Sequence, residues 1–259
     1  MGSQTVAARH RFRRATPLAG LVATLLVALA CGAGVPLGGQ PAGRRPASAQ
    51  SGEPARSAPT ATTARPADGT TSVEEFQRDV TGAVGLAERY WGERFPSLGR
   101  RFEPVAEVVA YTRDGEVTCG TVRLTRNNAA YCAPRDMIAY DARWAASAFR
   151  RVGDAFLFYL LGHEYAHGVQ VRLGLQHRFT IQQELQADCL AGAYIGDSVR
   201  AKTLTLDKGD LAEFRAGLLA VGDDPGQPWF AEDAHGTAEQ RTDAFFAGYD
   251  NSLAACDLE

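Results

Sequence analysis

The stretch GHEYAHGVQ (Gly162–Gln170) places two of the five histidines of this 259-residue chain four positions apart, with a glutamate directly after the first. The residues from Ala155 to Val171 are apolar almost all round, which predicts a helix buried in a protein core. On such a helix His163 and His167 lie on one face, one turn apart, so both imidazoles can reach one tetrahedral metal ion. Glu164 lies about 100° further round and can take a proton from a water on the metal, the general-base role of an HExxH motif.

Two hydrogen-bonded core histidines are the alternative interpretation of this stretch. Glu164 would then be a carboxylate on an apolar helix without an evident partner, which is energetically costly. The spacing does not continue to the third histidine of metzincins, because Gln170 and Leu173 stand where that class has Gly and His. A third ligand must therefore come from another element.

A second predicted helix, Ile181–Gly192, offers that ligand. Glu184 and, one turn later, Asp188 face the same way from this segment. Glu184 is expected to complete a three-ligand zinc site, and Asp188 to accept the remaining N–H of His163. The short connection Gly174–Arg178 favours an antiparallel helix pair, which would bring these groups together. A solvated acidic helix face is the alternative.

The region before these helices combines a helix with short strands. Ser72–Glu75 fits a capping box, and apolar residues at helical spacing follow as far as Phe95, before Pro96. Strand signals follow in Val105–Tyr111, in Val117–Val122, which could return from it through a turn at Asp114–Gly115, and in Met137–Asp141. Residues 72–259 are therefore expected to form one α+β domain, mostly α, with a short β region before the HExxH helix.

Residues 1–37 have the order of an export signal. A basic cluster from Arg9 to Arg14 precedes an uncharged apolar run from about Leu18 to Leu37. Ala28–Ala30 fits a signal-peptide cleavage site, while Cys31 directly after it resembles a bacterial lipoprotein box and is a candidate for lipidation. An uncleaved anchor is the third interpretation, because the run is about long enough to span a bilayer. Export to the cell envelope or beyond, with tethering to the membrane, is expected.

Residues 38–71 are rich in Pro, Ala, Gly, Ser, Thr and Arg and predict a disordered tether, since they cannot bury enough apolar surface to order. The net charge of −3 is unevenly distributed. Residues 1–72 carry eight Arg, no Lys and two acidic groups, Glu53 and Asp68, hence +6, which leaves −9 for the rest. An acidic folded part argues against a nucleic-acid partner.

Four cysteines remain if Cys31 is removed or lipidated, and an even number in an exported domain favours disulfides. Cys119 and Cys132 flank one polar loop and are the natural local pair. Cys189 and Cys256 then pair and tie the C-terminus to a helix. Free buried thiols are the alternative, and a cysteine-based zinc site is not expected because the chain has no CxxC pair.

Several motifs occur together in one order: HEYAHGVQ, ELQADCLAG (Glu184–Gly192) and HGTAEQR (His235–Arg241). They resemble the motifs of the bacterial neutral zinc metallopeptidases. The resemblance extends from about Phe76 to Cys256 and covers CGT at Cys119 and YCAPRDMIAYD at Tyr131–Asp141. It implies a zincin-like fold holding one zinc, with Glu184 as third ligand by analogy with other Glu-ligated zincins. By the same analogy, Met137–Asp141 would be the edge strand on which an extended substrate pairs.

His235 is the candidate for stabilising an oxyanion, because it lies in a matching motif beyond the zinc helices. Its alternative role is capping the helix that begins near Thr237, where Thr237 and Gln240 fit a capping box. Tyr140 and Tyr194 are weaker candidates.

Together these features predict an exported, zinc-dependent metallopeptidase that hydrolyses peptide bonds of a peptide or protein substrate, with Glu164 and His235 as catalytic residues. A zinc-containing envelope scaffold or binding module is one alternative, and a zinc amidase acting on a cell-wall substrate is another. Glu164 counts against the scaffold, because a purely structural zinc is usually closed by four protein ligands and needs no base.

Overall fold

The computed structural model describes residues 72–258. The predicted signal or anchor segment (residues 1–37) and the predicted tether (38–71) lie outside this range. Within it, the chain forms an α+β domain with six α-helices and five short strands: α1 (Val73–Arg94), β1 (Glu107–Tyr111), β2 (Thr118–Cys119), β3 (Val122–Arg123), β4 (Ala129–Cys132), β5 (Met137–Asp141), α2 (Ala142–Val152), α3 (Ala155–Leu173), α4 (Thr180–Arg200), α5 (Asp210–Val221) and α6 (Ala238–Asn251). None of the helices in residues 72–258 combines the length and apolar character needed to cross a membrane.

The ends of the helices follow local sequence signals. The hydroxyl of Ser72 accepts the backbone N–H of Glu75 at 3.1 Å and so caps α1, as predicted. Gly174 ends α3 in the left-handed conformation (φ 73°), and its N–H bonds back to the last turn of the helix. The turn that follows is short, and α3 and α4 pack against each other as expected.

The main sheet has the order β1–β5–β4, with β5 parallel to β1 and antiparallel to β4. The prediction that Met137–Asp141 is an edge strand is therefore wrong, because this strand is β5, at the centre of the sheet. The physical reason lies in its side chains, all five of which are buried. Ile138 and Tyr140 pack in the main helical core, whereas Met137 and Ala139 pack in a smaller cluster on the other face. Of the two edge strands, β4 is the one that packs against α3.

The predicted hairpin between β1 and Val117–Val122 is also absent. The neighbour of β1 is β5, and the excursion after β1 folds on itself through the short β2–β3 pair. Gly115 does form a turn there (φ 68°), and its N–H donates to the carbonyl of Leu124. The Cys119–Cys132 disulfide ties this excursion to β4.

Both predicted disulfides are present. Cys119 bonds Cys132, and Cys189 in α4 bonds Cys256 near the C-terminus. The second bond closes a sequence separation of 67 residues and holds the chain end against the helix that carries Glu184.

Helices α4 and α6 cross at backbone contact. A Cβ added at Gly192 would lie 1.9 Å from the carbonyl oxygen of Phe245, and one added at Gly248 would lie 1.9 Å from that of Cys189. Glycine is therefore required at this crossing, where no side chain fits between the two helices. The close approach brings the first turn of α6 to the buried face of α4.

Candidate metal centre

Three side chains from α3 and α4 converge in a cleft of about 360 Å³. The Nε2 atoms of His163 and His167 lie 3.2 Å apart. Glu184 approaches both, with Oε2 3.2 Å from His163 Nε2 and Oε1 3.5 Å from His167 Nε2. All three side chains are nearly buried.

These separations fit a tetrahedral zinc ion. With ligand bonds of about 2.0–2.1 Å, neighbouring donors of a tetrahedron lie roughly 3.3 Å apart. The 3.2 Å between the two imidazole nitrogens is close to that length. Glu184 places a different oxygen at a similar distance from each of them, Oε2 at 3.2 Å from His163 and Oε1 at 3.5 Å from His167. Two imidazoles and one carboxylate form a donor set that zinc accepts, and three protein ligands leave a fourth position for water or substrate.

The same side chains perturb one another electrostatically. Burial by itself lowers the pKa of His163, but the Asp188 carboxylate, together with a hydrogen bond to Glu184, outweighs burial and raises that pKa to about 10. Burial opposes ionisation of Glu184, yet the neighbouring His167 and His163 hold the pKa of its carboxyl well below the usual range. Protons and a metal cation therefore compete for the same donor atoms.

Asp188 orients the first histidine. Its Oδ1 lies 2.8 Å from Nδ1 of His163, and the side chain is wholly buried. Since an ionised carboxylate only accepts, Nδ1 must carry the proton, which leaves Nε2 with its lone pair for a metal. The hydroxyl of Tyr159 also donates to Asp188, at 2.9 Å. The predicted contact between Asp188 and His163 is thus present.

Glu164 is 6% exposed and is held by the edge of the sheet. Its Oε2 accepts the backbone N–H of Tyr131, in β4, at 2.8 Å. That N–H therefore points away from β5. In an antiparallel pair, alternate residues turn both their N–H and their carbonyl away from the partner strand. The carbonyl of Tyr131 and both backbone groups of Ala129 therefore also point away from β5. Glu164 and the outward-facing groups of β4 line the same cleft.

A family model described as "putative neutral zinc metallopeptidase" matches residues 11–258. The chain belongs to this family. The match covers the whole described domain and both helices that supply the donor atoms.

Relatives of this chain include proteins of Escherichia coli and Mycobacterium tuberculosis. The uncharacterized protein YpfJ of Escherichia coli (strain K12) is 26% identical over 202 residues, which is 69% of each chain. The uncharacterized protein Rv2575 of Mycobacterium tuberculosis (strain ATCC 25618 / H37Rv) is 33% identical over 119 residues, 35% of this chain and 39% of the relative. No solved structure matches the chain significantly.

His235 lies on the wall of the cleft, in the loop before α6. Asp223 holds this residue twice, since one carboxylate oxygen accepts its backbone N–H at 2.6 Å and the other lies 3.3 Å from its Nδ1. The cap of α6 is the predicted Thr237–Gln240 box, so the imidazole is not needed for capping. With Nδ1–H directed at Asp223, His235 can donate from Nε2 only as the imidazolium.

Tyr140 and Tyr194 are not among the residues that line the cleft. Tyr194 is fully buried beneath α3, where a Cβ on Gly162 would lie 2.5 Å from its ring. Tyr140 is 8% exposed, on the main-core face of β5. The aromatic side chains that reach the cleft are Tyr131, Trp144 and Tyr159.

Arg241 and Gln170 have no predicted role, although both lie inside the motifs that carry the resemblance. Arg241 is 3% exposed and binds Asp188 through two nitrogens. Gln170 is 2% exposed, and its Oε1 lies 2.9 Å from Nδ1 of His167. The available signal was a polar residue in an apolar setting, because a buried polar group requires a partner.

Proposed function

We propose that this chain is a zinc-dependent peptidase with a zincin-like domain at residues 72–259. The observation that carries the proposal is the position of Glu164, which is fixed by the edge-strand N–H of Tyr131 beside the three converging donors of His163, His167 and Glu184. A site that served structure alone would need no carboxylate held at its open side.

Glu164 supplies acid–base chemistry in this proposal. The N–H of Tyr131 occupies Oε2, so Oε1 is the oxygen that accepts the proton of an attacking water and then delivers it to the leaving amine. Zinc, when bound, supplies Lewis acidity, which polarises the scissile carbonyl and acidifies the water. His235 as imidazolium would donate a hydrogen bond to the developing oxyanion.

An extended peptide is the substrate that suits the cleft. The outward-facing groups of Ala129 and Tyr131 offer main-chain hydrogen bonds along β4, as in strand addition to a sheet edge. Apolar side chains that could contact substrate residues line the same cleft, namely Trp144, Leu160, Val171 and Val221.

The proposed setting is outside the cytoplasm. Two disulfides in the described domain suit an oxidising compartment. An exported protein would use residues 1–37 as signal or anchor, with Cys31 as the candidate lipidation site, and residues 38–71 as tether.

Comparison of the wild type with Glu164→Gln tests the proposal, because glutamine keeps the shape of the side chain and removes the base. We expect the wild type to cleave members of a proteome-derived peptide library, and Glu164→Gln to bind zinc equally but cleave none. Glu103→Gln, at an exposed glutamate, is the matched control and should behave as the wild type.

Two results would replace the proposal. If no peptide distinguishes the wild type from Glu164→Gln and both rescue a deletion strain equally, the binding-scaffold alternative takes its place. If the wild type releases fragments from purified cell wall but cleaves no peptide of the library, the amidase alternative does.

A further inference from the structure

A chain of side-chain amides connects the C-terminal end of the described residues to His167. Gln186, on α4, donates through Nε2 to two backbone carbonyls, those of Cys256 at 3.0 Å and Asp257 at 2.6 Å. Its Oε1 receives Nε2 of Gln170 at 3.0 Å. Gln170 in turn presents Oε1 to Nδ1 of His167 at 2.9 Å.

The direction of these hydrogen bonds is fixed from the C-terminal end. A carbonyl oxygen can only accept, so the group of Gln186 that faces Cys256 and Asp257 must be its NH₂. The oxygen of the Gln186 amide therefore faces the other way. It accepts from Gln170 and also from Nε2 of His177, 2.9 Å away, so the loop residue His177 has a partner in this network.

The orientation of the Gln170 amide is fixed by the groups that accept from it. Its NH₂ donates to the oxygen of Gln186 and also to the backbone carbonyl of Gln183 at 2.8 Å, a second group that can only accept. Rotating the Gln170 amide by half a turn would set oxygen against oxygen at both contacts. The Gln170 oxygen must therefore face His167.

The consequence for His167 is a defined tautomer. An oxygen opposite Nδ1 requires that this nitrogen carry the proton, which leaves the lone pair on Nε2, the atom that faces His163 and Glu184. We infer that Gln186 is a positioning residue for the metal centre, because it acts with the carbonyl of Gln183 to orient Gln170 and so sets the tautomer of His167. The part of this inference that concerns metal affinity rests on the proposed zinc site, whereas the tautomer does not.

The anchor of this chain of hydrogen bonds is remote in sequence and fixed covalently. Gln186 and Cys256 are 70 positions apart, and the disulfide from Cys256 to Cys189 holds the accepting carbonyl beside α4. Gln170 and Gln186 are 2% and 7% exposed, so water does not readily replace these bonds. The C-terminal segment is thus connected to His167 indirectly, through Gln186 and Gln170.

The test uses the full chain with three substitutions and two measurements. Histidine ¹⁵N NMR of metal-free protein, at a pH where the imidazole is neutral, reports the tautomer of His167, and competition with a chromophoric chelator reports the affinity for Zn²⁺. In the wild type we expect the proton on Nδ1. In Gln186→Leu the carbonyl of Gln183 still holds Gln170, but the second acceptor is gone. We therefore expect a minor population with the proton on Nε2 and an affinity lower by up to about 10-fold, the lower end of the effect of losing a direct partner of a metal-ligating histidine.

Gln186→Glu separates orientation from anchoring. A carboxylate still accepts from Gln170 but cannot donate to the two C-terminal carbonyls. The proton of His167 should therefore stay on Nδ1, and the affinity should fall by less than in Gln186→Leu, although the C-terminal segment loosens. Gln176→Leu removes an exposed amide that donates to the carbonyl of Leu175, outside the chain of amides, and should change neither measurement.

The inference is overturned if His167 of the wild type carries its proton on Nε2, or if Gln186→Leu behaves as Gln176→Leu does. It is also overturned if Gln186→Glu loses as much affinity as Gln186→Leu, because Gln186 would then act only by anchoring the tail. The tautomer is read without metal or substrate, so a protein that cleaves no peptide would refute the proposed function and leave this result standing.

Discussion

Arg241 and Asp188 form a two-point ion pair in the core, with Nε 2.8 Å from Oδ2 and Nη2 3.0 Å from Oδ1. Asp188 is wholly buried and Arg241 nearly so. Arg241 therefore compensates the charge of the carboxylate that orients His163, so α6 helps to support the candidate metal centre.

Arg241→Met should destabilise the fold by about 3–5 kcal/mol, because it removes the guanidinium that makes two contacts to the buried carboxylate of Asp188. Urea unfolding of chelator-treated protein measures this loss. Arg135→Met is the matched control, since Arg135 pairs with Glu107 at 3.1 Å on the surface and should contribute less than about 1 kcal/mol. Equal losses in the two variants would contradict the assigned role of Arg241.

Purified protein should contain one zinc per folded chain, removable by a chelator. His163→Ala should abolish stoichiometric zinc because it removes a donor atom, whereas Asp188→Asn should weaken binding by about 10–100-fold. Elemental analysis and chelator competition measure the two effects. Wild-type protein without stoichiometric zinc, after refolding in its presence, would refute the site.

His235→Ala should lower turnover by about 10²–10³ if His235 donates to the oxyanion. Zinc content should not change, because His235 is not one of the three converging donors. Steady-state kinetics on a peptide cleaved by the wild type, with zinc analysis of the same samples, decides the matter. Unchanged turnover would contradict the catalytic role of His235, whose contacts with Asp223 would then be structural.

Gly192→Ala should destabilise the domain by about 1–3 kcal/mol or more, because the added Cβ meets the carbonyl of Phe245 at 1.9 Å. Gly82→Ala makes the same chemical change on α1, where the nearest atom, in Phe158, is 3.8 Å away. This control should stabilise the helix by roughly 0.5–1 kcal/mol. Thermal unfolding of both variants should therefore show shifts of opposite sign, and shifts of the same sign would be inconsistent with the crossing described above.

Asp79 should make stability depend on pH. Burial, with smaller contributions from Asp154 and Glu75, raises its pKa from 3.8 to about 6, and its Oδ2 lacks a hydrogen-bond partner within residues 72–258. The folded state thus binds more protons than the unfolded state between about pH 4 and pH 6, so this group reduces stability as pH rises through that window.

Asp79→Asn should therefore stabilise the domain at pH 7, by about 1 kcal/mol at most after allowance for solvent screening at a half-exposed group. At pH 4 the gain should vanish. Chemical unfolding at both pH values measures the difference, with Glu74→Gln, an exposed acidic residue in the same helix, as control. A gain that is the same at both pH values would argue against ionisation of Asp79 as its cause.

Local signals in the sequence were sufficient for α1 and α3, whereas α2 and α5 were not predicted. The capping residue Ser72, the apolar run of α3 and the turn at Gly174 depend on neighbours within a few positions, so α1 and α3 were predicted close to their observed bounds. The i, i+4 spacing brings His163 and His167 to one helix face for the same reason. Pairing of the four cysteines also followed, because one pair was local and left one remaining combination.

The tertiary structure decided what depends on distant partners. Strand order was not readable, because Met137–Asp141 becomes central only when β1 and β4 both pair with it, and its two buried faces look alike in sequence. The partners of the metal centre, Arg241 and Gln186, are 53 and 16 positions from the residues they hold, Asp188 and Gln170. A polar residue in an apolar segment indicates that a hydrogen-bond partner is required. Which group that partner is depends on how α6 and the C-terminal segment pack against α4.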